Sequence, residues 1–217
     1  MKDLFDGSKS IDFKATNNFQ QNALHLAVIY RWDKTANLLL HESGTTGIDI
    51  NSKDKYEKTA LHLALDAENG EMAKILVRNG ADVNVTLDTE KTTPLHWSAR
   101  KGAEELCEAL LKQKANVDTF DDEDHSPLHL SAIHGHAEVT KILLEHSPLI
   151  NATDKKSLTP LHLSAIHGNE EVAKVLLDND VQRHLVDLDH KTPSQLAKKY
   201  GHFDIEKLIR DWTSSDK

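Results

Sequence analysis

Histidine is the residue of this 217-residue chain with the greatest capacity for acid–base or metal chemistry, because the sequence holds fourteen of them. Five follow a leucine in a Leu-His pair and recur at nearly constant spacing: His25, His62, His96, His129 and His162. A metal or catalytic site gathers its ligands in one place, whereas these histidines are distributed along the whole chain. We therefore predict that each imidazole hydrogen-bonds backbone groups between neighbouring repeats.

Two pairs of histidines are spaced so that a metal site has to be considered. His134 and His167 occupy equivalent positions in successive repeats, so we expect them to lie side by side on adjacent helices. Zinc would need two further ligands there, and the pattern does not supply them. His125 and His129 are close in sequence, but Pro127 places His125 in a turn, so the two cannot act as ligands on one helical face. We expect no metal and no cofactor.

The sequence offers little for nucleophilic catalysis. Cys107 is the only cysteine, and it lies in an apolar stripe with Leu106, Leu110 and Leu111, so we predict a buried thiol. A single cysteine cannot form an internal disulfide, which favours a reducing compartment. The motifs of serine hydrolases, phosphate loops and zinc peptidases are absent from the sequence. We expect that the chain is not an enzyme.

The densest cluster of charge is acidic and comprises Asp118 and residues 121–124. Its five carboxylates could hold a cation, but their spacing is not that of a calcium-binding EF-hand loop. Two interpretations stay open, a solvated turn and a contact for a basic partner.

Composition excludes several classes of function. The chain is 38% hydrophobic and 28% charged, with no apolar run near the roughly 18 residues of a membrane span. Its net charge of −9 argues against nucleic acid or an anionic membrane as the partner. The first residues lack the apolar core of a signal peptide. We expect a monomeric cytoplasmic protein without membrane insertion.

The elements that position these residues repeat about every 33 residues. Thr159 is a good helix N-cap, and Pro160 sits at the first helical position, where its missing N–H costs nothing. Gly168 can take the left-handed conformation that ends the short helix. A second helix follows, with apolar residues such as Val172 and Val175 at helical spacing.

Each repeat resembles the ankyrin repeat, and the first four residues of its signature Thr-Pro-Leu-His-x-Ala are present at residues 93–96 and 159–162. The resemblance implies an all-α solenoid of stacked helix-turn-helix units with projecting β-turn loops. It places repeats near residues 18–50, 54–84, 88–118, 121–151, 154–184 and 187–212. Residues 1–17 would be a partial N-terminal cap or the remnant of a preceding repeat. Residues 42–47 would form a longer loop.

Some positions depart from the pattern. Arg31 and Glu68 stand where later repeats have the inter-helix glycine. The last repeat is rich in lysine and carries Ser194-Gln195 in place of Leu-His, which is typical of a capping repeat. We interpret Trp97 as an enlarged core residue, and Trp32 as either partly exposed or packed on a neighbouring loop.

Similar proteins bind a protein partner through the concave face formed by turn tips and first helices. Ile133, Ile166 and Leu158 would be exposed aliphatic anchors on that face. Carried over by register, the candidate partner-binding residues are Tyr56, Arg100, Lys101, Asp122, Glu123, His125, Ile133, His134, Lys155, Lys156, Leu158, Ile166 and His167.

The resemblance implies a protein-interaction scaffold or adaptor, with a partner whose identity the sequence does not give. The alternative is a targeting or regulatory module of a larger enzyme, channel or secreted bacterial effector. In either case the expected partner is a protein and not a nucleic acid.

Overall fold

A computed structural model describes residues 12–42, 47–179 and 181–213, and α-helices are the only regular elements of these residues. This confirms the all-α class. The predicted longer loop at 42–47 and the predicted cap at 1–17 lie largely outside the described residues. The helices, in six successive pairs, are α1 (Ala23–Ile29), α2 (Asp33–His41), α3 (Ala60–Asp66), α4 (Gly70–Arg78), α5 (Pro94–Lys101), α6 (Glu104–Lys112), α7 (Pro127–His134), α8 (Ala137–Leu144), α9 (Pro160–His167), α10 (Glu170–Asp178), α11 (Pro193–Lys199) and α12 (Phe203–Asp211).

The chain divides into two compact units, residues 1–82 and 83–217. In the first unit, α1 packs against α2 and α3, and α3 packs against α4. In the second unit, the first helices α5, α7, α9 and α11 pack in sequence, and the second helices α6, α8, α10 and α12 form a parallel row behind them. Each unit is therefore built from stacked helix pairs.

A reciprocal capping box starts the first helix of every pair. In α9 the Thr159 side chain accepts from the His162 backbone N–H, and the Thr159 N–H donates to Nδ1 of His162 at 3.1 Å. This arrangement satisfies two backbone donors that a helix start otherwise leaves unpaired. It explains why the leucine-histidine pair follows the cap at constant spacing. The N-cap residues are Asn22, Thr59, Thr93, Ser126, Thr159 and Thr192.

The predicted left-handed breaks are confirmed, but glycine is not required by the backbone angle alone. Gly135 and Gly168 have φ values of 78° and 75°, while Arg31 and Glu68 adopt 54° and 51° at the equivalent place. What requires glycine at Gly135 is a side chain of the following repeat. A Cβ on Gly135 would lie 2.8 Å from Oδ1 of Asn169, so the next repeat occupies the space that a side chain would need.

The core of each unit lies between the two rows of helices. The leucines of the Leu-His pairs are 0–1% exposed, and Cys107 is fully buried among the apolar residues of α6, as predicted. Trp97, in contrast, is half-buried and reaches the surface. Close packing of repeated apolar stripes holds each unit together, because no single helix pair encloses its own apolar face.

Candidate protein-binding surface

Four histidines of the Leu-His pairs, His25, His96, His129 and His162, join neighbouring repeats, as predicted. In the second unit the Nε2 atoms of His96, His129 and His162 contact the backbone oxygens of His125, Leu158 and Lys191 at 3.0, 3.2 and 3.2 Å. His25 does the same with the oxygen of Lys58 in the first unit, at 3.2 Å. Since Nδ1 accepts from the cap, Nε2 carries the ring proton and donates it.

Burial keeps these imidazoles neutral. It lowers the pKa of His25, His96 and His162, and it lowers the pKa of His129 to about 4. Protonation would also remove the Nδ1 acceptor that the cap requires. These histidines therefore serve the scaffold and are not available for acid–base chemistry at neutral pH.

From the second repeat onward, each turn contains an equivalent aspartate that holds the turn by hydrogen bonds, a role that the sequence did not lead us to predict. Oδ1 of Asp121 accepts from the backbone N–H groups of Glu123 and His125 at 2.9 and 2.8 Å. Such side-chain-to-backbone bonds hold a turn in one conformation. Its recurrence at a constant distance before the cap was the available signal. The equivalent residues are Asp54, Asp88, Asp121, Asp154 and Asp187.

The acidic cluster is thus partly structural. Asp121 is buried, and Asp118 accepts from the backbone N–H of Leu149 at 2.9 Å. Asp122 pairs with Lys91 at 2.7 Å. In the part of the chain that the structure describes, no cluster of three or more histidine, cysteine or acidic residues could hold a metal ion.

Consecutive turns are also linked through their backbones. In the second unit, the N–H of Asp122 donates to the oxygen of Glu90 at 2.8 Å, and the N–H of Lys155 donates to the oxygen of Glu123 at 3.2 Å. The Lys155 and Glu123 side chains pair across the same step, at 3.7 Å. The turn tips therefore form a connected edge and not a set of independent loops.

A groove of about 530 Å³ lies in the second unit between the turns and the ends of the first helices. Ile133 and Ile166 line it from α7 and α9, and Tyr200 lines it from the end of α11. It gathers six of the predicted partner-binding residues, which are His125, Ile133, Lys156, Leu158, Ile166 and His167.

Two expectations about this groove need correction. Leu158 is only 9% exposed, so its prediction as an exposed anchor was wrong. It directly precedes the cap Thr159, where an apolar residue packs under the start of the helix. Ile133 and Ile166 are half-buried and not fully exposed. The His125 ring lies 3.4 Å from Asp121 and 3.5 Å from Asp154, which ties it to the turns.

The other predicted residues of the second unit are on the surface but outside the groove lining. His134 is exposed at the end of α7, with its ring 6.3 Å from that of His136. The exposed charged residues of this set are Arg100, Lys101, Glu123 and Lys155, and Asp122 is half-buried.

The first unit carries exposed aromatic side chains, of which only Tyr56 was a predicted site residue. Tyr56 is 59% exposed and stacks on Phe19 at 6.5 Å, with the Lys55 ammonium over both rings. Trp32 is 55% exposed and stacks on Tyr30 at 5.2 Å, so the exposed interpretation of Trp32 is correct. Aromatic residues at turn and helix-end positions were the signal for this second patch.

None of the helices in residues 12–42, 47–179 and 181–213 is long and apolar enough to cross a bilayer.

A family model described as ankyrin repeats (3 copies) matches residues 1–87 and 84–154. A second model, described as ankyrin repeats (many copies), matches residues 132–177. No curated protein matches the chain significantly. The helix pairs, their capping boxes and these matches together show that the chain belongs to the ankyrin repeat family.

Proposed function

We propose that the chain is a scaffold or adaptor that binds a protein partner in the groove of its second unit. The observation that supports this most directly is the pair Ile133 and Ile166, two half-buried aliphatic side chains from consecutive first helices that line one groove. Protein interfaces typically have an apolar centre surrounded by a polar rim, and the residues that contribute most to binding lie in that centre.

A partner protein suits this groove better than a small substrate. The lining comes from the turns as well as from three successive first helices, and it includes Lys156, His167 and Tyr200 at its edges. Two buried groups of the second unit are committed to the scaffold and not to chemistry, since burial lowers the pKa of His129 to about 4 and raises the pKa of Cys107 to about 12. We propose a non-catalytic, monomeric, cytoplasmic module.

The double variant Ile133→Asp with Ile166→Asp tests this function. Proteins captured from an extract of the source cells by the unaltered chain should be lost with the variant, because two charges replace the apolar centre. Ile142→Asp is the matched control, since Ile142 is also half-buried but lies on the second helix α8. It should capture the same proteins as the unaltered chain.

Circular dichroism and thermal melting of all three proteins complete the test. If the double variant loses helical signal or melts much earlier than Ile142→Asp, Ile133 and Ile166 act in folding and the assignment is wrong. If both variants lose the same captured proteins, the groove has no particular part in binding.

A further inference from the structure

We propose that Ser147 is a phosphorylation site for a proline-directed protein kinase. This goes beyond the proposed function, since Ser147 does not line the groove. The chain has five prolines, and each of them follows a serine or a threonine, the pair that such kinases recognise. The structure decides which of the five hydroxyls an enzyme can reach. The pairs begin at Thr93, Ser126, Ser147, Thr159 and Thr192.

Four of the five hydroxyls are held by helix caps. Thr93, Ser126 and Thr159 are buried, and each accepts the backbone N–H of the histidine three residues further on. Each hydroxyl also contacts Nδ1 of that histidine, at 2.8 to 2.9 Å. Thr192 makes the corresponding cap with Gln195. Transfer of a phosphate to any of these oxygens would require the start of a helix to open.

Ser147 lies in the loop after α8 and caps no helix start. It is exposed, and within the described residues no hydrogen bond holds its hydroxyl. Its backbone has φ 52°, and Lys114 has φ 63° at the equivalent position one repeat earlier. Because a lysine takes the same left-handed conformation there, the fold does not depend on a serine at position 147.

The residues that follow Ser147 are also within reach of an enzyme. Residues 147–149 belong to no regular element, Pro148 is half-buried and Leu149 is 57% exposed. The N–H groups of this segment make two bonds, from Ser147 to the oxygen of Leu144 at 3.1 Å and from Leu149 to Oδ1 of Asp118 at 2.9 Å. Pro148 has no N–H, so a kinase pocket can enclose it without leaving a backbone donor unpaired. A kinase therefore displaces two backbone bonds, and no helix, to take the segment in an extended form.

The reaction needs ATP as the second substrate. Oγ of Ser147 attacks the γ-phosphorus of ATP, and the bond between that phosphorus and the oxygen that bridges it to the β-phosphorus breaks. ADP leaves, and a carboxylate base of the kinase accepts the hydroxyl proton. The product carries about 1.5 to 2 negative charges at pH 7, on a surface loop that had an uncharged hydroxyl.

Phosphorylation of the purified, folded chain tests the proposal. The chain is incubated with ATP and a serine/threonine kinase that requires only a following proline, and tandem mass spectrometry locates the phosphate. A single site is expected, at Ser147. Ser147→Ala should abolish the modification, and Pro148→Ala should abolish it while keeping the hydroxyl in its loop. An unmodified Ser147, or equal modification of the capping hydroxyls, overturns the proposal.

Two synthetic peptides separate the effect of the fold from the preference of the kinase. They comprise residues 122–130 and 143–151, which centre on the capped Ser126 and on the uncapped Ser147. Both peptides should be phosphorylated, although only Ser147 is modified in the folded chain. If the kinase leaves the Ser126 peptide unmodified, its sequence preference and not the cap protects Ser126, and the explanation by capping is wrong.

The same mass spectrometry applies to the chain isolated from its source cells in the presence of phosphatase inhibitors. Phosphate at Ser147 is expected. An unphosphorylated chain, or phosphate at other positions only, overturns the assignment. Capture by the groove and its loss in Ile133→Asp with Ile166→Asp do not depend on this outcome.

Discussion

Replacing Gly135 with alanine tests why the inter-helix break needs glycine. Asn169 of the following repeat donates from Nδ2 to the backbone oxygens of Ala132 and Ile133 at 2.8 and 2.9 Å. The Cβ of an alanine would lie 2.8 Å from Oδ1 and 3.1 Å from Cγ of Asn169. The amide must therefore move away, and its two bonds to the end of α7 are lost.

The expected cost has two parts. An alanine in the left-handed conformation costs about 1–2 kcal/mol relative to glycine. Loss of the two amide bonds adds about 1 kcal/mol each. Gly201→Ala is the matched control, because Gly201 has φ 85° and no atom of the described residues lies within 4 Å of the place that its Cβ would take. It should cost the backbone part alone, so the variants should differ by about 2 kcal/mol.

Equilibrium unfolding in urea, followed by circular dichroism, measures both free energies of unfolding. A double-mutant cycle with Asn169→Ala isolates the contact, since Gly135→Ala should then cost only the backbone part. Equal destabilisation by Gly135→Ala and Gly201→Ala would refute the explanation. So would an unchanged cost of Gly135→Ala after removal of the Asn169 amide.

Three further predictions follow from buried groups. The pKa of His129 is about 4 in the folded state and 6.5 ordinarily, so the folded state binds fewer protons than the unfolded state between pH 4 and pH 6.5. The free energy of unfolding, measured in urea, should therefore fall by up to about 3 kcal/mol as the pH drops from 6.5 to 4. His129→Gln should reduce this dependence, because Gln195 accepts the equivalent cap bond in the last repeat. Cys107, with a pKa of about 12, should resist a thiol reagent in the folded chain and react once urea unfolds it; fast reaction without urea would contradict its burial. Asp121→Ala should cost about 1–3 kcal/mol by leaving turn N–H groups unpaired, whereas Asp122→Ala should cost much less; equal costs would show that the turn does not depend on Asp121.

The sequence by itself determined the features that depend on neighbours in the chain. Thr159 as a cap, Gly168 as a left-handed break and the apolar stripe around Cys107 were all predicted correctly. Their physics is local, because a cap binds residues three positions away and a helical stripe follows a period of about 3.6 residues. Repetition extended the argument to the histidines, since a residue that recurs at one position in five of six repeats indicates a role in the contact between repeats.

The tertiary structure decided what depends on side chains of adjacent repeats. Asp121 and Asp122 look alike in the sequence, yet one is buried in its turn and the other pairs with Lys91 across to the preceding turn. Leu158 looked exposed by register, but the start of α9 covers it. The groove forms only when the first helices of successive repeats lie side by side. Burial and ion pairing at these positions depend on which side chains of adjacent repeats are close in space, and the order of residues along one repeat does not reveal those distances.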